Sequence, residues 1–227
     1  MRKDLKKFLI ISLVFSLLFY IFGIITGILF GNEILKIIEK RNENISKLID
    51  KIRKLNDEFE KSKLLFLSSQ KCKIIKNFLE DIDNILLKYY SFLPYRLEEY
   101  ELQEVPEWYL ELKNEYNRLQ LNSWIIAKEY ENCEKNFTTI LYFYKPKCLE
   151  CIKQGEEIDK IRDYLKENFK MNVKVFTLDI NFENPTLKII KKIYNVTDAP
   201  SFIIKDVSFK NFTSFDTFLS LFLQKKL

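Results

Sequence analysis

Four cysteines, Cys72, Cys133, Cys148 and Cys151, are the residues whose types and spacing can do chemistry here, because the chain contains no histidine. Without an imidazole there is no Ser-His or Cys-His nucleophile pair and no His-ligated metal centre. Reactivity is left to Cys, carboxylates, Lys and Tyr. An even number of cysteines serves two disulfides, or one redox pair plus two buried thiols. Cys148-Leu149-Glu150-Cys151 has the spacing of two neighbouring side chains on a helical turn, so a disulfide can close between them without a large backbone movement. In such a pair the first thiolate attacks a substrate disulfide to form a mixed disulfide, and the second resolves it. The helix expected to start at Cys148 makes that residue the expected nucleophile and Cys151 the resolving cysteine.

The flanking residues are expected to position this motif. Thr138–Tyr144 is a β-branched and aromatic run of strand length, ended by Lys145-Pro146-Lys147. An amphipathic helix follows, with Ile158, Ile161, Leu165 and Phe169 on its apolar face. Cys148 would then sit at a helix N-terminus, facing unpaired N–H groups and the positive end of the helix dipole, which favours thiolate. Lys145 and Lys147 add positive charge and Glu150 opposes it; the net expectation is a Cys148 more acidic than a free thiol. Downstream, Val173–Ile180 alternates as a strand. Asn184-Pro185 opens a helix through Leu187, Ile190, Ile193 and Tyr194, Ser201–Ile204 is a short strand, and Val207–Phe212 can pair back on it as a hairpin. Phe215, Phe218, Leu219 and Phe222 line a last helix. The element order is βαβαββα, an α/β arrangement around a central mixed sheet.

Over roughly residues 137–227 this pattern resembles the thioredoxin fold family. A strand delivers CxxC to a helix start, a proline lies about fifty residues later before the next strand, and Ile193-Tyr-Asn-Val-Thr-Asp-Ala-Pro-Ser201 is similar to the family's tyrosine-x-valine-x-x-x-proline-threonine passage. The resemblance implies a thiol–disulfide oxidoreductase acting on protein thiols and disulfides, recycled by a separate redox partner, with no cofactor and no metal. It also implies that Pro200 is a cis proline beside the disulfide and that the backbone at Ala199 pairs with an extended substrate segment. Lys147 stands where the family has an aromatic, Leu-Glu replaces Gly-Pro, and Tyr142 takes the place of the buried acid. Glu156, beside Gly155, replaces the helix-bending proline. Proton transfer to Cys151 would fall to another group or water, with Glu150 and Lys145 as candidates. Two other readings stay open: a redox-inactive thioredoxin-fold module that only binds protein, and a four-cysteine zinc site made with Cys72 and Cys133.

The rest of the chain supplies the setting. Phe8–Phe30 is 23 residues without a charge, and a bilayer core of about 30 Å needs roughly 20 helical residues. The run is longer than a signal-peptide core and lacks a small-x-small cleavage site. The expectation is a single-pass cell-membrane protein with residues 1–7 cytoplasmic, 8–30 transmembrane, 31–133 a helical stalk or bundle with one coiled-coil-like apolar stripe, and 134–227 an extracytoplasmic thioredoxin-like domain. Gly23, Gly27 and Gly31 recur at intervals of four, the spacing of close helix–helix contact in membranes, so a homodimer through them is one possibility and the ordinary glycine content of membrane helices is the other. Helices are expected from about Cys72 to Phe92 and from Pro106 to about Cys133. In an antiparallel hairpin they put Cys72 and Cys133 at the same end, where a structural disulfide is expected, two free buried thiols being the alternative. Sequons begin at Asn44, Asn136, Asn195 and Asn211. The 37 basic and 32 acidic residues are interspersed, so no nucleic-acid-binding stripe is present.

Overall fold

The computed structural model describes residues 16–17, 20–23, 43, 46–47, 49–58, 61, 70–90 and 107–225. The chain divides into two compact units, Met1–Asp50 and Lys51–Leu227. The described residues of the first unit are helical, and its Lys47 and Glu43 form an exposed ion pair one helical turn apart.

The second unit holds α1 (Lys71–Tyr90), α2 (Glu107–Tyr130), β1 (Phe137–Tyr144), α3 (Leu149–Phe169), β2 (Asn172–Asp179), α4 (Pro185–Ile193), β3 (Ser201–Ile204), β4 (Val207–Lys210) and α5 (Phe215–Lys225). From Phe137 the order is βαβαββα. The strands form one mixed sheet in the order β2-β1-β3-β4, with β1 and β2 parallel and β3 antiparallel to both β1 and β4. β1 is central, which is why every residue from Phe137 to Phe143 is buried.

Apolar periodicity decides how the helices lie. Ile158, Ile161 and Leu165 are the buried stripe of α3, and α5 packs beside it through edge-to-face pairs of Tyr164 with Phe215 and Phe169 with Phe222. Phe202 stacks on Phe209 across the β3–β4 hairpin, and both meet Phe218 of α5. In α4, Asn184 caps the N-terminus by accepting the N–H groups of Thr186 and Leu187, with Pro185 at the first position. Leu187 and Ile190 of that helix are buried, whereas Ile193 is exposed, because α4 ends there and Tyr194 turns back to the core.

Helix α2 belongs to the same core as the sheet, contributing Leu121, Trp124, Ile126 and Ala127. It also covers the outer edge of β2: Asn117 Oδ1 accepts the N–H of Asp179 at 3.0 Å and Gln120 Oε1 that of Thr177 at 3.3 Å. Edge N–H groups are otherwise open to another strand. Residues 51–58 form a helical stretch against α2, where buried Asn56 bonds Glu115 and Asn122 while Arg53 pairs with Glu111. The second unit therefore extends well before residue 134. Lys128, Asp206 and Tyr194 join α2, the β3–β4 turn and the end of α4. The Tyr194 hydroxyl is pushed up to about 12, first by burial and then by its bond to Asp206.

The expected fold class and location are corrected here. Among the described residues no helix is long and apolar enough to cross a membrane, so a transmembrane helix, a single-pass cell-membrane protein and an extracytoplasmic domain held by that anchor are not supported. Hydropathy over Phe8–Phe30 states that these side chains avoid water, whereas a crossing also needs a helix of about 20 apolar residues; apart from residues 16–17 and 20–23 that run lies outside the described residues. Gly27, Gly31, Asn44 and most of residues 31–68 lie outside the described residues. Asn136, Asn195 and Asn211 are exposed.

Candidate functional site

The register of the sheet gathers three loops at one end. β1 ends at Tyr144, β3 begins at Ser201 opposite Phe143, and β4 ends at Lys210 opposite Ser201. The segments Lys145–Cys148, Asn195–Pro200 and Asn211–Thr213 therefore lie at the same end. Buried Gln154 of α3 ties the third of them down, its amide donating to Thr213 O at 3.1 Å and accepting Thr213 N–H at 2.7 Å.

Cys148 is the N-cap of α3. Its backbone is extended, with φ −106° and ψ 98°, and its Sγ accepts the N–H of Cys151 at 3.0 Å. Lys147, just before it, has φ 56°, and this left-handed residue turns the chain from β1 into the helix. Cys148 and Cys151 form a disulfide, S–S 2.07 Å and Cα–Cα 5.2 Å. The two residues are not equivalent: Cys148 is partly exposed, whereas Cys151 is 5% exposed. Leu149 and Ile152 on the same first turn are exposed at 75% and 53%.

Tyr142 occupies the place where a buried acid was expected from the resemblance. It is buried on β1, and its hydroxyl donates to the Cys151 carbonyl at 2.6 Å. The phenol therefore fastens the buried half of the disulfide to the central strand. Replacing Tyr142 by Phe removes this bond with little change in shape and is expected to lower stability by about 1 kcal/mol. Urea unfolding of the oxidised chain measures it; an unchanged midpoint would count against the bond.

Lys145, expected to bear on Cys148, pairs with Asp198 at 2.9 Å. Lys147 and Glu150 are exposed, and their side chains form no hydrogen bond or ion pair among the described residues. The Ala199–Pro200 bond is cis, and Ala199 and Pro200 are buried. Cys72 and Cys133 are joined, S–S 2.10 Å and Cα–Cα 5.7 Å, linking the start of α1 to the turn after α2. With the cysteines paired in this way, no group of potential metal ligands forms among the described residues.

No family model matches the chain, and no curated protein matches it. It is similar to a solved structure described as "Structure of a malarial protein". That likeness is 20% identical, covers 40% of this chain and 98% of the other, and has a TM-score of 0.30. It supports no inference about this chain.

Sequence reasoning missed Asp198. Its carboxylate accepts from Lys145 and, at 2.8 Å, from the N–H of Ala199, and its carbonyl accepts the Ser201 hydroxyl at 2.6 Å. The Lys145 bond first, and the Ala199 N–H second, hold its carboxyl below the usual carboxylate range. The available signal was an acid immediately before Ala-Pro, a position where Asp commonly bonds local backbone.

Proposed function

We propose that this chain is a thiol–disulfide oxidoreductase acting on protein thiols or disulfides through Cys148 and Cys151. The observation that carries the reading is the N-cap position of Cys148, with the Cys151 N–H aimed at its sulfur. In the reduced chain the same N–H and the helix dipole favour a thiolate at that sulfur. Partial exposure of Cys148 and burial of Cys151 assign attack to the first and resolution to the second. The βαβαββα order and the Ala199–Pro200 loop at the same sheet end support the likeness to the thioredoxin fold family.

In the oxidising direction, a substrate thiolate attacks Cys148 Sγ, forming a substrate–Cys148 disulfide and releasing Cys151 as thiolate. A second substrate thiolate then attacks the substrate sulfur of that bond, and Cys148 leaves. One substrate disulfide is formed, one enzyme disulfide is reduced, and two protons pass to the released thiolates. The reducing direction is the reverse, with Cys148 attacking and Cys151 resolving.

Equilibration of the purified chain with mixtures of reduced and oxidised dithiothreitol, followed by alkylation and mass analysis of the Cys148–Cys151 peptide, tests the reading. One reversible two-electron transition is expected. A pair that such dithiols fail to cycle would exclude the oxidoreductase and leave a protein-binding module.

A further inference from the structure

The ladder between β1 and β3 ends at the Phe143–Ser201 pair. Continued outward in the same register, Lys145 falls opposite Ala199, so these residues face each other just beyond the last paired strand positions. The Asp198 carboxylate spans them. One oxygen, Oδ1, accepts both the Lys145 ammonium at 2.9 Å and the Ala199 N–H at 2.8 Å. The Asp198 side chain is itself 64% exposed, in a loop at the same sheet end as the disulfide. Ala199 is only 7% exposed in this arrangement.

A backbone N–H just past the end of a ladder needs an acceptor, and an extended peptide laid along the loop would offer its carbonyl. Here a local side chain already takes that N–H, in the way Asp side chains compete with strand pairing. A salt bridge holds the carboxylate in place. Resting on the thiol-exchange reading above, we infer that Asp198 is a specificity-determining residue: its carboxylate occupies the Ala199 N–H against extended peptide backbones and leaves compact disulfides unhindered. Favoured substrates are disulfides that reach Cys148 without backbone pairing at Ala199. An extended peptide must first displace Asp198 from the N–H.

The test compares two substrates of the dithiothreitol-recycled chain: bis(2-hydroxyethyl) disulfide, which has no peptide backbone, and a twelve-residue linear peptide joined by a disulfide to 2-mercaptoethanol. Asp198→Ala is expected to lower KM for the peptide about threefold to tenfold relative to KM for the small disulfide, the worth of one freed hydrogen bond; an effect of the freed Lys145 on Cys148 falls on both substrates alike. Asp198→Asn keeps a side-chain oxygen for the N–H and should return KM toward the wild-type value. Amide hydrogen exchange supplies the second measurement: in Asp198→Ala the Ala199 amide exchanges faster while the amides of β1 and β3 do not. A relative peptide KM unchanged or raised, equal shifts for both substrates, or an Ala199 amide that stays protected overturns the inference while thiol exchange stands. A wild-type chain that turns over neither substrate overturns the thiol-exchange reading, and this inference with it.

Discussion

Replacing Cys151 by Ser is expected to turn the site into a trap, with Cys148 accumulating as a mixed disulfide with its substrate. Cys151 is buried against the core, its carbonyl held by Tyr142 and its N–H aimed at Cys148. In the wild-type chain it attacks from within the same helical turn. Without it, release depends on an external thiol, and a step that was intramolecular becomes bimolecular. Effective molarities of well-placed groups reach about 10⁵ M; loss of one of only about 1 M, set against millimolar thiol, already slows the resolving step about a thousandfold. Non-reducing electrophoresis of the variant with a thiol-bearing protein partner should show an adduct that dithiothreitol removes. Cys148→Ser should give no adduct, because the remaining thiol is the buried one. Adducts of equal yield from both variants would refute the assignment of roles.

Removing the Cys72–Cys133 bridge is the largest expected loss of stability. The bridge closes a sequence separation of 61 residues and ties the start of α1 to the turn after α2. Constraining a loop of that size in the unfolded chain is worth about 4 kcal/mol in the chain-entropy account, and in a domain of this size that corresponds to a fall in Tm of roughly 8–16 °C. The Cys72→Ser, Cys133→Ser double variant measures it free of thiol scrambling. Leu121, Trp124 and Ala127 share one core with the sheet, and neither Cys72 nor Cys133 is part of it, so the fold should persist below the new Tm. A Tm equal to that of the wild type would mean that the bridge constrains nothing.

The strands and the CxxC helix were legible because each has a strong local cause. The run from Phe137 to Tyr144 is β-branched and aromatic, Lys145-Pro146 ends it, and apolar residues recur at helical spacing from Ile158. Boundaries moved by a residue or two, as at β4, which stops at Lys210 instead of Phe212 because Asn211 turns with φ 60°. The edge of β2 was not legible. Nothing local says that Asn117 and Gln120, polar residues in the middle of a helix, accept N–H groups of a strand about sixty residues on. The long apolar run near the N-terminus misled in the opposite sense, since composition states which side chains avoid water and not whether they form a helix long enough to span a bilayer.

The sequence by itself determined which residues can react, that two of them lie three apart at a strand-to-helix junction, and, through the absence of histidine, which chemistries are excluded. These follow from residue type and short-range geometry. Tertiary structure alone decided that Cys151 is the buried partner, that Tyr142 holds its carbonyl, and that Lys145 pairs with Asp198. Each of these depends on which loops the sheet register brings to one end, and that register is set by burial summed over the whole core.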